Sequence, residues 1–247
     1  MSVLHSRTFS RWARGHLLCR VEGVSDRFAL TFDDGPGRAT TPAVLDRLTR
    51  HEAHATFFLL GTQVRRAPDL VRRIHGEGHE IAIHGDDHWP TALLPDGALR
   101  GQVDRATRAV VAAGGKPPVH YRAPFGVMFP AQSRVLGRVG VTAVLGDVYP
   151  DDAYDPGVDR IVERTLARLS AGSILILHDA SFMPGTSRRQ TVGALDAILD
   201  GARARGLRAV TVAELRDAAA WTPAGSSLLE IRVDGAVVPG GQLPVAR

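Results

Sequence analysis

Two rhythms of apolar and polar positions alternate along this chain. Short apolar runs appear at "RFALTF" (27–32), "ATFFLL" (55–60), "HEIAIH" (79–84), "VHYRA" (119–123), "VTAVLG" (141–146), "SILILH" (173–178) and "LRAVTV" (207–212). Each reads as a buried strand. Between them, apolar residues return every third or fourth position, the period of an amphipathic helix. "TPAVLDRLTR" (41–50) has Thr41 as cap and Pro42 in its first turn, and "APDLVRRIHGEG" (67–78) is opened by Pro68 and stopped by glycine. A longer helix carries Leu99, Val103, Ala106 and Val110 on one face and ends at Gly114–Gly115. Further helical patterns lie near 131–139, 158–170 and 190–205. Strands separated by helices predict an α/β fold of parallel strands with helical crossovers. The clusters "DDGP", "GDDH", "PFG", "DVYPDD" and "HDAS" each follow a strand on its C-terminal side. In parallel barrels reactive groups gather on that face, which favours a barrel over an open sheet. The tail "SLLEIRVDGAVVPGGQLPV" alternates with period two around Asp234–Gly235 and predicts a hairpin. The expected organisation is an N-terminal extension (1–25), one domain (26–220) and a C-terminal β-extension (221–247).

Composition narrows the class. A chain of 247 residues suits one large α/β domain. Hydrophobic content of 44% and charged content of 23% are ordinary for a globular protein, and no apolar run approaches the ~20 residues that span a bilayer. Cys19 is the only cysteine, which excludes an internal disulfide framework and fits a reducing compartment. The first residues, "MSVLHSRTFSRWARGHLLCRVEG", hold no continuous apolar segment, so no secretory signal and a cytoplasmic location are expected. Net charge is +4 with Lys116 the only lysine, and the arginines are scattered among acids, so nucleic-acid binding is not expected. Residues 7–21 place Arg7, Arg11, Arg14 and Arg20 among Phe9, Trp12, Leu17 and Leu18. That pattern fits a helix on a membrane surface or, more commonly, one packed against the domain.

The candidate chemistry sits at the strand ends. "FALTFDDGPG" closes an apolar run with adjacent carboxylates, Asp33 and Asp34, and burying either costs several kcal/mol unless it is paired. His84 and His88 stand four apart in "HEIAIHGDDHWP", a spacing that converges two imidazoles on a metal, although solvent-facing histidines share it. Two histidines and one carboxylate make an open catalytic site for a divalent ion. The aspartate pair supplies that carboxylate and leaves a second to take a proton from activated water. Arg122 in "HYRAPFG" ends another strand, where it can orient the base, and the turn at Pro124–Gly126 can aim a backbone N–H at an oxyanion. A plain structural turn explains the same residues. His178 ends "SILILH" on the same rim, with Ile176 on its face by strand alternation. It can protonate a leaving group, with a nearby acid raising its pKa.

In this order, "TFDDGP", "HGDDH", "RAPFG" and "LILHD" resemble the polysaccharide deacetylase family of metal-dependent carbohydrate esterases, and "ATFFLLG" and "GHEIAIH" strengthen the match. The resemblance covers roughly residues 26 to 216. It implies a distorted (β/α) barrel of about seven strands and hydrolysis of an N-acetyl group from an amino sugar. It also implies Asp33 as base, Asp34, His84 and His88 as metal ligands, and Arg122 as the residue orienting the base. Phe125 takes the oxyanion-hole position, His178 that of the general acid, and Ile176 an apolar wall of the acetyl pocket, where leucine is usual. Tyr121 and Pro124, in the same motif, are expected to contact substrate. Gly85 stands where Ser or Thr is usual. In place of the family's Asp-Trp pair, Asp152 takes the aspartate's position, with Asp151 as the alternative, and Ala153 takes the tryptophan's. The implied cofactor is Zn²⁺, with Co²⁺, Ni²⁺ or Mn²⁺ as other candidates, and the implied partner is an N-acetylated carbohydrate. Two other readings keep the fold: hydrolysis of a cytoplasmic sugar conjugate or non-sugar amide, and silent carbohydrate binding.

Overall fold

The computed structural model describes residues 17–181, 187–220, 232–233 and 236–237. Seven parallel strands form one curled sheet: β1 (Arg27–Asp33), β2 (Thr56–Leu59), β3 (Glu80–Ile83), β4 (His120–Tyr121), β5 (Thr142–Ala143), β6 (Ile174–His178) and β7 (Arg208–Val210). Their spatial order is β5-β4-β3-β2-β1-β6, with β7 also pairing with β1. The crossovers carry helices α1 (Thr41–Arg50), α2 (Gly61–Arg66), α3 (Pro68–Gly76), α4 (Asp96–Ala112), α5 (Pro130–Arg138), α6 (Val158–Arg168) and α7 (Arg189–Arg203), and α8 (Val212–Ala220) follows β7. The expected α/β barrel-like architecture is therefore present.

The gap between β5 and β6 is bridged by irregular chain. Leu18 pairs with Val144, Arg20 with Ser173, and Val148 with Leu175. The Arg20 guanidinium donates to Asp147 at 2.9 Å and to Ser173 at 2.9 Å, which ties the closing segment to the β6 side. Over the described part of the basic–apolar stretch 7–21, Leu18 and Arg20 are extended bridging residues packed on the barrel, not a surface helix; residues 7–16 lie outside the described residues.

Strand alternation sorts the side chains into two layers. Phe28, Leu30, Phe32, Phe57, Leu59, Leu175 and Leu177 point outward and pack under the helices in one buried cluster. Each such side chain contributes about 1.5–3 kcal/mol on burial. Ala29, Phe58, Ala82, Val144 and Ile174 point inward and fill the barrel, with Val212 and Leu215 of α8 in the same cluster. One step further along the strands, this alternation brings Thr31 and Asp33, and then Ile176 and His178, to the interior. Asp33 and His178 are register partners on β1 and β6.

Two local readings change. α2 was not expected from the pattern. It has no side-chain cap, and its first N–H groups instead donate to the carbonyls of Gly85 at 3.2 Å and Asp86 at 2.8 Å. The run 207–212 is not all strand: β7 stops at Val210 and Val212 opens α8. The cause is a capping box, in which the Glu214 N–H donates to the Thr211 hydroxyl at 3.0 Å and the Thr211 N–H to the Glu214 carboxylate at 2.8 Å. In the tail, Arg232–Val233 (β8) and Ala236–Val237 (β9) pair antiparallel; Asp234–Gly235 lies outside the described residues. Among the described residues no helix is long and apolar enough to cross a membrane.

Candidate active site

Asp33 is the last residue of β1, and the chain turns at once through Asp34, Gly35 and Pro36. Both carboxylates are buried. The Arg122 guanidinium, one residue past β4, donates to Asp33 Oδ1 at 2.6 Å and to the Thr31 hydroxyl at 2.7 Å, and it lies 3.9 Å from the centroid of the Phe58 ring. Burial lowers the arginine's pKa and the Asp33 charge opposes that shift. A guanidinium flanked by a carboxylate, a hydroxyl and an aromatic face is held rigidly, which fixes Asp33 Oδ1 and leaves Oδ2 directed toward the histidines. Asp33 Oδ2 is 3.9 Å from His84 Nε2.

His84 follows β3 and His88 lies in the loop beyond it. His84 Nδ1 stands 2.9 Å from the Arg122 carbonyl oxygen, which can only accept, so Nδ1–H donates and Nε2 keeps its lone pair. Burial keeps this ring neutral and pushes its pKa down to about 3; the Asp34 charge opposes this, while His88 and Arg122 add to it. Asp34 Oδ1 is 3.7 Å from His84 Nε2 and 3.2 Å from His88 Nε2. It is buried without a hydrogen-bond partner. Asp34, His84 and His88 each offer one ligand atom, all within 4.8 Å of one another. An orphaned buried carboxylate oxygen facing two imidazole nitrogens fits a divalent cation.

The loops around the site are shaped by backbone that ordinary residues avoid. Asp34 (φ 73°), His88 (φ 62°), Phe125 (φ 62°) and Asp151 (φ 63°) all lie in the left-handed region, at a cost of order 1–3 kcal/mol each. Gly85 has φ 89°, and a Cβ there would meet nothing closer than 3.7 Å. The backbone, not space, therefore selects glycine where serine or threonine was the expected residue. The bracing comes from Gln102 of α4: its Oε1 accepts from the Asp86 N–H at 2.6 Å and its Nε2 donates to Asp87 at 2.6 Å. Asp86 is also held by Arg65 at 2.8 Å and Arg105 at 3.1 Å.

His178 ends β6. Its Nδ1 lies 2.8 Å from Asp152 Oδ1, its backbone N–H donates to Asp152 Oδ2 at 2.8 Å, and the Thr191 hydroxyl of α7 donates to the same oxygen at 2.8 Å. Burial opposes a charge on this ring. The charge and hydrogen bond of Asp152, with Asp34 and Asp33 behind them, outweigh it and push the pKa up to about 9. Of the two acids considered, Asp152 is the one bonded to His178; Asp151 pairs with Arg164 at 3.0 Å instead.

Asp33, Asp34, His84, His88, Arg122, His178 and Asp152 thus converge on one rim. Ile176 lies on the inward face of β6, two residues before His178. Pro124 and Phe125 form a single 3₁₀ turn after Arg122, with Phe125 exposed and its ring 4.7 Å from that of His88. Tyr121 is not brought to the site. Because Arg122 points inward, alternation turns Tyr121 outward into the core beside Ile83 and Leu99, and its hydroxyl is 2.6 Å from that of Thr91. The sequence reading missed Gln102, Thr191 and Tyr149, whose ring centroid is 6.0 Å from that of His178. Gln102 lies next to the apolar stripe of α4, which is the signal for a buried polar brace.

A family model described as polysaccharide deacetylase matches residues 21–144. The chain is 41% identical over 186 residues to a chitooligosaccharide deacetylase of Bradyrhizobium sp. (strain ANU 289), covering 72% of this chain and 84% of that one. It is 36% identical over 203 residues to a peptidoglycan-N-acetylglucosamine deacetylase of Bacillus cereus, covering 81% and 93%. Among solved structures, the Bc1960 peptidoglycan N-acetylglucosamine deacetylase superposes with a TM-score of 0.79 at 29% identity, covering 85% of this chain and 96% of that one.

Proposed function

The chain belongs to the polysaccharide deacetylase family, and from that premise we propose that it hydrolyses N-acetyl groups from an amino-sugar oligomer or polymer at the rim holding Asp33 and His178. The observation that carries this reading is the orphaned Asp34 oxygen facing two imidazole nitrogens, with an arginine-held carboxylate on one side and a carboxylate-held histidine on the other. Asp34, His84 and His88 would hold the divalent ion, which supplies Lewis-acid polarisation of the acyl carbonyl and a lowered pKa of the attacking water. We take zinc as that ion, because two imidazoles and one carboxylate suit it; cobalt, nickel and manganese accept the same donors.

Asp33 accepts the water's proton through Oδ2, the oxygen that Arg122 leaves unbound. As the water oxygen bonds to the acyl carbon, the Phe125 N–H, in its left-handed turn, assists the oxyanion that forms on the acyl oxygen. His178, protonated through its bond to Asp152, gives a proton to the departing amine as the C–N bond breaks. Acetate and a free amino sugar leave.

The test compares Asp33→Asn with His84→Ala. Asp33→Asn is expected to keep bound metal and lose nearly all acetate release from chitooligosaccharides, whereas His84→Ala loses the metal itself. Full turnover in either variant overturns the assignment. Peptidoglycan fragments and small amides assayed beside chitooligosaccharides identify the substrate class.

A further inference from the structure

Tyr149 is half-buried in the loop after β5, and neither the metal centre nor the acid pair uses it. Its backbone is clamped to β6 immediately before it. The Val148 N–H donates to the Ile174 carbonyl at 3.3 Å, and the Ile176 N–H donates to the Val148 carbonyl at 2.9 Å. The carbonyl of Pro150, immediately after it, accepts from Arg164 at 3.2 Å. Val148 packs outward in the core under the helices, so alternation turns Tyr149 to the inward face that carries Ile176 and His178. There its ring stands edge-on to His178, with centroids 6.0 Å apart and planes at 61°.

Two features make it more than packing. Ala153, beside Asp152, carries only a methyl group, and Tyr154 is 77% exposed, so among the described residues Tyr149 is the aromatic against the acid histidine. The residue is half-buried, and no hydrogen bond joins its hydroxyl to another described residue. Burial, followed by the charges of Asp152, Tyr154, Asp151 and Asp33, raises the phenol's pKa, so it stays a neutral donor throughout the working range. A half-buried phenol whose ring stands edge-on to the acid histidine is placed to contact a ligand at that rim.

We propose that Tyr149 is a substrate-contacting specificity residue: with Ile176 it closes the acyl pocket beside His178, its ring limiting acyl length and its hydroxyl donating to the bound substrate. This rests on the deacetylase reading above.

The experiment measures kcat/KM for N-acetyl, N-propionyl and N-butyryl forms of one glucosamine oligomer, using the metal-loaded wild type, Tyr149→Phe, Tyr149→Ala and Tyr154→Ala. Acetate and butyrate affinities are measured by calorimetry on the same proteins. Wild type is expected to fall steeply from acetyl to butyryl. Tyr149→Ala should compress that ratio at least about tenfold, the effect of opening a hydrophobic pocket by more than a methylene. Tyr149→Phe keeps the ring, and with it the fold and the ratio, while KM rises several-fold. Tyr154→Ala leaves both unchanged. An unchanged acetyl-to-butyryl ratio and unchanged carboxylate preference in Tyr149→Ala, or an unaltered KM in Tyr149→Phe, overturns the proposal. A wild type that binds acetate over butyrate but releases no acetate overturns the deacetylase reading alone.

Discussion

Replacing Asp152 with asparagine isolates the electrostatic part of the acid machinery. The side chain keeps its shape, and its amide oxygen can still accept from the His178 N–H and the Thr191 hydroxyl. The NH₂ group then faces His178 Nδ1, where the wild type presents a carboxylate oxygen at 2.8 Å. His178 is raised to about 9 in the wild type against burial, chiefly by Asp152, with Asp34 and Asp33 adding to it. Relative to an ordinary histidine near 6.5, that net rise amounts to about 3 kcal/mol of favoured protonation, the pull of Asp152, Asp34 and Asp33 being set against burial. Lost protonation has a pH signature. At pH 7 the wild-type ring is almost fully protonated and an ordinary one about a quarter so, which predicts a roughly fourfold loss from this cause. At pH 9 the wild type is about half protonated and the variant well under one per cent, so the loss grows to on the order of a hundredfold. The assay is kcat/KM for acetate release by metal-loaded enzyme from about pH 6 to about pH 10, since kcat/KM reports the free enzyme. A wild-type-to-variant ratio that stays constant with pH refutes the reasoning, as does a basic limb left near pH 9 in the variant.

Further outcomes follow from the turn that carries Asp34. In Gly35→Ala the new Cβ would stand 2.5 Å from both carboxylate oxygens of Asp179. This should cost about 1–3 kcal/mol, read as a lower Tm, and Asp179→Ala in the same chain should recover part of it. Asp179 itself is buried, accepts from the Thr41 hydroxyl and leaves Oδ1 unpartnered. Burial pushes its pKa up to about 7 from 3.8 in spite of that bond. Its contribution to stability is therefore complete below about pH 4 and lost as pH rises through about 7. Asp179→Asn keeps the neutral form at every pH, so chelator-treated variant and wild type should differ little at pH 4. Above pH 7 the variant should be the more stable, by on the order of 4 kcal/mol; denaturant melts showing the same gap at both pH values refute this.

The two structural periods decided what could be read without coordinates. Every strand end carrying a catalytic candidate was visible, because a period-2 run that stops in a charged residue marks both the strand and the face of its last side chain. The same rule, applied consistently, places Tyr121 outside the site: Arg122 and Tyr121 are neighbours on one strand and cannot both point inward. The error there came from treating a motif as a unit when alternation splits it. α2 was hidden for a different reason. Its N-terminal donors are satisfied by carbonyls of the His84–His88 loop, a partner distant in sequence, so no local cap announces it. Tyr149 was hidden because its orientation depends on a single bridge between irregular chain and β6. Contacts made by loops that close a barrel leave no periodic trace, and in this molecule they set the wall beside His178. Asp33, His84, Arg122 and His178 are thus legible from strand ends, whereas the residues that hold the loops, Gln102 and Thr191, are legible only once helices are placed over the rim. Catalytic identity is carried by strand termini and substrate selection by the loops between them, which explains why the reaction is readable from the residues and the acyl limit has to be argued from geometry.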